Sequence, residues 1–402
     1  MLPTASGYPI APRSYCPTRL VRLGPNRLEK GCAVANGRLS DDDIHAALAT
    51  VIDPELRRPL TELDMVDSVF ADDETVRAAI ALTIVGCPAS DRIERDVRDA
   101  LTTIAGERQV EVELAVMDAE RRGRLIERLR GSKTPQMVFG PDSLTRIVAI
   151  TSGKGGVGKS TVTANLAALA ASKGLRVGVI DADVFGFSIP QLFGVAGEKP
   201  TRLDDMILPP IGHDVKLMSI GMFVEADTPV SWRGPMLHRT VNQFLTDVYY
   251  GDLDLLFVDL PPGTGDVAIS LGQLLPHSDV VVVTTPQPSA SDVAIRSGLV
   301  ARQTGQRVVG VIETMSAGSL PGGQAIDLFG SGGGAEVASK LDVPVLGSIP
   351  LSIPLRESGD EGQPVVLSHP DDPASAAFRE VLTALDTTRE SRVGTPLPVS
   401  TS

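Results

Sequence analysis

The stretch TRIVAITSGKGGVGKSTVTANLAALAASKG, residues 145–174, places a glycine-rich loop between two regular elements. A β-rich apolar run, TRIVAIT, precedes the loop, and the residues after it have a helical pattern that ends at Gly174. The loop has the spacing G-x-x-x-x-G-K-S from Gly153 to Ser160. A strand, a loop of this spacing and a helix together predict phosphate binding rather than an unrelated glycine turn.

The residue types of this loop indicate its chemistry. Glycines let backbone N–H groups wrap the phosphates, Lys159 neutralises charge on the β- and γ-phosphates, and Ser160 offers its hydroxyl to Mg²⁺. A phosphate-binding loop needs only one lysine, so Lys154 is an additional cation. The residues expected to contact the nucleotide are Gly153, Lys154, Gly155, Gly156, Val157, Gly158, Lys159, Ser160 and Thr161.

Short β-rich runs recur after this loop, with helical patterns between them. They occupy residues 175–181, 215–221, 254–260, 279–285, 307–313 and 343–349. Near-continuous apolar runs of this kind are typical of strands buried on both faces, as in a parallel sheet covered by helices. The sequence therefore predicts a doubly wound α/β fold with a mostly parallel sheet, which binds ligands at the carboxyl ends of its strands.

Two of these runs end in carboxylates. VIDADVFG carries Asp181 and Asp183 after one strand, and FVDLPPGTGD carries Asp259 at the end of another. In phosphoryl transfer, one acid after an apolar strand holds Mg²⁺ and another orients the attacking water. We assign Asp259 to magnesium and Asp183 to water positioning, whereas Asp181 fits either role. Acids at strand ends also occur in structural turns, but three of them beside a phosphate-binding loop favour catalysis.

Composition excludes several classes of protein. The chain has 402 residues, 42% of them hydrophobic, and no run of about 20 apolar residues that would span a membrane. Its net charge of −13 argues against a broad nucleic-acid-binding surface, which needs clustered basic residues. We therefore expect neither a membrane nor a nucleic acid as partner. Three cysteines without a C-x-x-C predict no disulfide framework and a reducing, cytoplasmic location.

A smaller unit precedes the large sheet. SDDDIHAALATVI begins with a capping serine and three acids and continues as a helix, and a strand, a helix and another strand follow up to Met117. This order predicts a small α+β domain. We divide the chain into a disordered leader at 1–39, the small domain at 40–118, a linker at 119–143, the nucleotide-binding domain at 144–388 and a disordered tail at 389–402. The first half of the linker has a helical pattern.

The additional lysine is accounted for by a resemblance. SGKGGVGKST, residues 152–161, resembles the deviant Walker A motif of the MinD, ParA and nitrogenase iron protein class. In that class the first lysine reaches across a nucleotide-sandwich dimer to the phosphates bound by the partner. The resemblance therefore implies that Lys154 acts in trans, much as an arginine finger does, and that the protein forms an ATP-dependent homodimer.

A narrower resemblance covers most of the chain. DADVFGFSIP, FVDLPPGTGD, TTPQPSASDV and LGSIPL resemble segments of the Mrp family of iron–sulfur cluster carrier ATPases, over about 144–370. Upstream, VIDPELRRPLTELDMV and LTIVGCPASDRIERDV resemble the small PaaD-like cluster-assembly domain that precedes the ATPase in many bacterial members. The resemblance implies Mg²⁺-dependent ATP hydrolysis, a bound iron–sulfur cluster, and apoprotein clients and cluster-assembly proteins as partners.

The chain departs from the Mrp pattern at two places. VIETMSAGSLPGGQAIDLFG lacks the C-x-x-C that many members carry there, and Thr314 replaces the asparagine that the family uses near the adenine. A cluster usually needs four thiolates, so Cys87 becomes the candidate iron–sulfur ligand. A thiol before a helix is either a stabilised thiolate or a small buried apolar side chain, and both interpretations stay open here.

Four functions fit these observations to different degrees. The leading hypothesis is an ATP-hydrolysing protein that binds iron–sulfur clusters and transfers them to apoproteins. An ATP-gated dimeric scaffold would hold no cluster itself and would bind apoproteins or assembly proteins through the small domain, and the sequence does not separate it from the first hypothesis. A MinD/ParA-type positioning ATPase is less favoured, since the C-terminal segment has no basic amphipathic helix. A nitrogenase-like reductase is disfavoured because the cluster thiols are absent from the nucleotide-binding half.

Overall fold

The computed structural model describes residues 39–130, 139–140, 143–184, 186–223, 234–319 and 325–387. The predicted disorder of the leader and the tail concerns residues outside this range, apart from Leu39. Cys16 and Cys32 also lie outside it. Within the described residues, no helix is both long enough and apolar enough to cross a membrane.

The first part of the described chain forms a three-stranded sheet with two helices. Helix α1 (Asp41–Leu48) begins with a capping box, in which Ser40 Oγ accepts from the N–H of Asp43 and Asp43 accepts from the N–H of Ser40. The remaining elements are strand β1 (Val66–Ala71), strand β2 (Thr75–Leu82), helix α2 (Ser90–Ala105) and strand β3 (Gln109–Val116). β1 pairs with β2 antiparallel, and β2 pairs with β3 in parallel across α2.

Helix α3 (Ala119–Arg130) occupies the first half of the predicted linker. Its side chains Leu125 and Ile126 are buried in the same apolar cluster as Ile44 and Val97 of the small sheet's helices. The helix therefore packs as part of the small unit instead of connecting two units loosely.

The rest of the chain forms one large sheet and two hairpins. Its strands are β4 (Arg146–Ser152), β5 (Val177–Asp181), β6 (Thr201–Leu203), β7 (Met206–Leu208), β8 (Ile211–Gly212), β9 (Val215–Ser219), β10 (Leu255–Asp259), β11 (Asp279–Thr284), β12 (Arg307–Ser316), β13 (Gly318–Ser319), β14 (Ala325–Ile326) and β15 (Val345–Pro350). The large sheet has eight strands in the order β15-β12-β11-β4-β10-β5-β9-β8, all parallel except β8 at one edge. The predicted mostly parallel, doubly wound fold is confirmed.

Helices cover both faces of this sheet. They are α4 (Lys159–Ser172), α5 (Ile189–Leu192), a 3₁₀ turn (Ile220–Phe223), α6 (Gly234–Thr246), α7 (Asp266–Leu274), α8 (Pro288–Gln303), α9 (Gly333–Leu341), α10 (Ile353–Asp360), α11 (Val365–Ser368) and α12 (Pro373–Thr387). Alternate residues of β4 enter different cores: Val148 packs with α4 and α12, and Ala149 packs with α6 and α9. This double burial explains why the strands read as continuous apolar runs.

The β6–β7 hairpin connects the large sheet to the small one. Leu203, Met206 and Leu208 are fully buried in the apolar cluster of the small sheet, together with Leu60 and Val97. The polar links beside them are Arg122 to Asp204 at 3.1 Å, Arg130 to Asp205 at 2.6 Å, and Thr201 to Glu55 at 2.6 Å. A shared apolar core with flanking ion pairs fixes the small sheet against the large one.

Candidate nucleotide-binding site

The glycine loop lies at the carboxyl edge of the large sheet, between β4 and α4. β10 lies between β4 and β5, with Asp259 in register with Ile150 on one side and Asp181 on the other. Because these strands are parallel, their carboxyl ends meet at one edge, and the loop and both acid segments are brought together there. The sequence predicted a site at the carboxyl edge of the sheet, and the strand order brings the predicted residues together at that edge.

Two glycines of the loop are required by its geometry. A Cβ on Gly153 would lie 2.4 Å from the backbone of both Val293 and Ala294, so helix α8 packs directly against the loop. Gly158 has φ of +80°, a left-handed conformation that favours glycine, and it caps the N-terminus of α4. The loop can therefore present backbone N–H groups at a helix N-terminus, the arrangement that suits phosphate groups.

Lys159, Ser160 and Asp259 form one hydrogen-bonded group. Lys159 Nζ lies 2.7 Å from Asp259 Oδ2, and Ser160 Oγ donates to the same oxygen at 2.5 Å. The other carboxylate oxygen accepts from Thr163 Oγ1 at 2.7 Å. Lys159 and Asp259 are almost completely buried, at 6% and 0% exposed. Thr163 went unnoticed in the sequence, although its position one helical turn after Lys159 places both residues on one face of α4.

Asp181 and Asp183 approach this group from the neighbouring strand. Asp183 Oδ2 lies 3.5 Å from Lys159 Nζ. Asp181 is fully buried and accepts from the backbone N–H of Asp183 at 3.1 Å and from Ser219 Oγ at 3.0 Å. Burial, followed by the charge of Asp259, raises the pKa of Asp181 to about 8. Both oxygens of Asp181 are engaged within the protein, and the side chain is placed to position Asp183.

The exposed part of the loop runs from Lys154 to Gly156. Ser152 Oγ donates to the carbonyl of Lys154 at 2.9 Å, which fixes the backbone while the lysine side chain stays exposed. The two lysines therefore differ in environment, since Lys159 is buried among carboxylates and Lys154 faces outwards.

Thr314 lies beneath the loop. Its hydroxyl is buried and contacts the carbonyl of Val157 at 2.6 Å and the carbonyl of Thr284 at 3.1 Å. The hydroxyl proton is shared between these two carbonyls, so the side chain ties the ends of β11 and β12 to the loop. In this structure Thr314 supports the loop's conformation, and adenine contact stays a prediction from the family resemblance.

Cys87 is buried in the small unit, just before α2, at 4% exposed. Its Sγ lies 3.7 Å from Glu55 Oε2. Burial, and then the charge of Glu55, raises the pKa of the Cys87 thiol to about 11. The thiol is therefore protonated in the folded protein, and of the two interpretations left open by the sequence the buried apolar side chain fits the structure. Its assignment as an iron–sulfur ligand stays a prediction.

Magnesium would be held by few protein ligands. Among the described residues, no three His, Cys, Asp or Glu side chains are grouped so that they could hold a metal ion by themselves. A phosphate-binding loop needs no such group, since Mg²⁺ there keeps several waters and binds the phosphates together with one or two side chains. Ser160 and Asp259, whose oxygens lie 2.5 Å apart, supply a donor pair of this kind.

This geometry defines a P-loop nucleotide-binding protein. The chain belongs to the ParA family, described as NUBPL iron-transfer P-loop NTPases, whose model matches residues 143–386. A second model, described as an iron–sulfur cluster assembly protein, matches residues 41–114. The resemblance inferred from the sequence is confirmed in both halves of the chain, and the protein is an NTPase.

Curated relatives cover nearly the whole chain. An iron–sulfur cluster carrier protein of Mycobacterium tuberculosis is 51% identical over 370 residues, which is 89% of this chain and 97% of the relative. A protein of the same name from Synechocystis is 39% identical and covers 85% of this chain and 96% of its own. A solved nucleotide-binding protein of Archaeoglobus fulgidus in complex with ADP is 34% identical, covering 58% of this chain and 91% of its own with a TM-score of 0.49.

Proposed function

We propose that this protein binds ATP with Mg²⁺, hydrolyses ATP as a homodimer, and transfers iron–sulfur clusters to apoproteins in the cytoplasm. The observation that carries the ATP half is the buried group of Lys159, Ser160 and Asp259 at the base of the glycine loop. The cluster half is supported by relatives named iron–sulfur cluster carrier proteins, which are similar to this chain over both of its parts. These names do not favour a positioning ATPase.

Each residue has a proposed role in hydrolysis. Lys159 exchanges its contact with Asp259 for the β- and γ-phosphate oxygens of ATP, and Asp259 and Ser160 then serve as magnesium ligands. The metal supplies charge neutralisation on the phosphates. Asp183 orients the attacking water. Asp181 contributes by holding the backbone of Asp183 through its engaged carboxyl group.

The additional lysine supports the dimer. Lys154 is exposed on a loop whose backbone is fixed by Ser152. An exposed ammonium on a rigid loop suits a contact with phosphates bound by a second protomer, where it would stabilise charge in the transition state. We therefore propose that two chains face each other across their nucleotides.

Cluster binding is proposed to involve Cys87. It is the one cysteine among the described residues, and its thiol is protonated at neutral pH. Iron binding would have to displace the thiol proton, so affinity should increase with pH. Because a cluster usually needs four thiolates, the remaining ligands come from a second protomer or a client apoprotein.

The test is anaerobic reconstitution of the full chain with iron and sulfide, followed by iron and sulfide content, the absorption spectrum and transfer to an apoprotein. We expect a cluster in the wild-type protein and its loss in Cys87→Ser. Cys16→Ser and Cys32→Ser serve as matched controls. Absence of a cluster from the wild type would instead favour the ATP-gated scaffold, because the buried, protonated thiol of Cys87 would then not be an iron ligand.

A further inference from the structure

A cavity of about 630 Å³ lies between the small unit and the large sheet, away from the glycine loop. One wall is the segment 52–58, and the other comes from the amino-terminal ends of β5 and β9 and from residues 249–253. Ala171 in the last turn of α4 and Gly174 just after the helix also line it. Because α4 begins at Lys159, this cavity lies at the opposite end of that helix from the nucleotide site.

The lining of this cavity is basic in an acidic protein. It contains the four basic residues Arg57, Arg58, Arg176 and Lys216 and only the two acidic residues Asp214 and Asp252. Asp214 pairs with Arg57 at 2.6 Å, and Arg176 pairs with Asp254 at 3.0 Å, outside the lining, and lies 3.7 Å from Asp252. Within the described part of the chain, neither Lys216 nor Arg58 has a carboxylate at ion-pair distance. Two positive charges therefore remain without an ion-pair partner, and Asp53 acts on Lys216 only from beyond ion-pair distance.

Lys216 is the most buried of these cations. It is 8% exposed, and its Nζ contacts the carbonyl of Tyr249 at 3.4 Å and lies 4.8 Å from the centre of the Tyr249 ring. Burial, followed by the charges of Arg57 and Arg58, lowers the pKa of Lys216 to about 8. A buried ammonium that faces two guanidinium groups is unfavourable unless an anion neutralises it.

The rim of the same cavity carries backbone strain. Arg57 and Asp214 have φ of +58° and +65°, left-handed conformations that are costly outside glycine, and their side chains bond to each other at the cavity rim. Strain of this kind persists only where the surrounding structure holds it, and it is common at ligand-binding positions.

We propose that this cavity binds a small phosphate-bearing anion that bridges the small unit and the large sheet. Arg58 and Lys216, the two lining cations without a carboxylate at ion-pair distance, match the charge of a phosphate dianion, and guanidinium groups pair well with its oxygens. Arg58 belongs to the small unit and Lys216 to the large sheet, so one anion contacting both would join the two units. The volume suits a metabolite of ordinary size.

The test is calorimetric titration with inorganic phosphate and, separately, with glycerol 3-phosphate. The P-loop is a second anion site, so the titration is repeated on Lys159→Ala. We expect binding to persist in Lys159→Ala and to weaken at least tenfold in Lys216→Met and in Arg58→Gln. Lys340→Met, an exposed lysine on α9, should bind as the wild type does. Equal affinities identify the phosphate group itself as the ligand, and tighter glycerol 3-phosphate binding identifies a phosphate ester.

A second readout reports on the site directly. Phosphate should raise the pKa of Lys216 towards its ordinary value, measured by NMR of the protein methylated at its lysines with ¹³C. Binding that disappears in Lys159→Ala and persists in Lys216→Met would assign the anion to the P-loop and overturn the proposal. So would the absence of phosphate binding from the wild type. Neither result would affect the proposed ATPase and carrier function, which is tested by hydrolysis and cluster transfer.

Discussion

The two lysines of the glycine loop differ at the scale of single residues. Lys159 is buried against Asp259, whereas Lys154 is exposed. We expect Lys159→Ala to abolish measurable ATP binding, because the phosphates lose their principal cation. Lys154→Ala should leave ATP affinity within about threefold of wild type while lowering turnover by about 1,000-fold or more, as loss of an arginine finger does.

These effects are measured by equilibrium binding of ATP, phosphate release and sedimentation with and without ATP. Lys173→Ala, at the other end of α4, is the matched control because Lys173 is exposed and distant from the loop. Normal turnover and ATP-driven dimerisation in Lys154→Ala would contradict the trans role. Retained ATP affinity in Lys159→Ala would contradict the assignment of the loop.

Lys216 gives a prediction for stability against pH. Its pKa is about 8 in the folded protein and 10.5 ordinarily, so the unfolded chain binds more protons between these values. Stability therefore increases with pH from about 8 to 10.5 through this group, by up to about 3 kcal/mol. The charged groups that act on it are Arg57, Arg58 and Asp53.

Lys216→Met should remove this increase and stabilise the protein at pH 7. The measurement is the free energy of unfolding in urea at several pH values, taken as the difference from wild type so that other titrating groups cancel. Lys340→Met should reproduce the wild-type profile. A Lys216→Met profile parallel to that of wild type across this range would show that the amine is not destabilised by burial.

Single residues also show where sequence reasoning succeeds. The loop residues could be predicted because a strand, a loop and a helix are contiguous in sequence, and Asp259 could be predicted because it ends an apolar strand. Ser219 and the location of Thr314 beneath the loop were not, since both depend on which strands become neighbours. The charge state of Cys87 was equally inaccessible, because Glu55 is distant in sequence and contacts it only after folding.

At the scale of helices and strands, the length of an element decided whether the sequence could predict it. The long, continuously apolar strands of the large sheet gave a clear pattern, from which a parallel sheet covered by helices could be predicted, whereas the order of its strands could not. The β6–β7 hairpin escaped notice because each strand has three residues, too few to show a period. It is nevertheless the element that joins the two sheets, since its side chains enter the core of the small unit.

The hairpin's contribution is testable with Leu203→Ala. Leu203 is fully buried in the small unit's core, so its truncation should lower the free energy of unfolding by about 2–5 kcal/mol. Arg202→Ala, exposed on the same strand, should change stability by less than about 0.5 kcal/mol. Both values come from urea unfolding followed by circular dichroism. Small and equal changes in the free energy of unfolding for both variants would show that the hairpin does not stabilise the small unit.

At the scale of the whole molecule, the two halves are more closely joined than their sequence order indicates. The predicted boundaries at 118 and 144 stay a prediction, but α3 and the β6–β7 hairpin both pack into the small unit's core. The hairpin begins about 20 residues after Asp183, and α5 lies between them. Nucleotide binding and the small unit are therefore linked by one short, packed stretch of chain.

This linkage predicts that nucleotide protects a thiol in the other half of the molecule. Cys87 is buried, so a thiol reagent reaches it only when the small unit opens. If the halves open together, Mg-ADP at 100 times its dissociation constant should slow labelling of Cys87 by about 100-fold. The experiment uses a Cys16→Ser and Cys32→Ser background and follows the labelling rate by mass spectrometry.

The same labelling experiment on Leu203→Ala tests whether nucleotide protects Cys87 through the hairpin or by stabilising the whole protein. This substitution weakens the shared core but leaves the glycine loop unchanged, so nucleotide should still bind while its protection of Cys87 decreases. A labelling rate that Mg-ADP leaves unchanged in the protein with the intact hairpin would show that the small unit opens by itself. In that case ATP binding would influence a cluster at Cys87 only through the dimer or a client protein. The hairpin would then stabilise the fold without coupling the two halves.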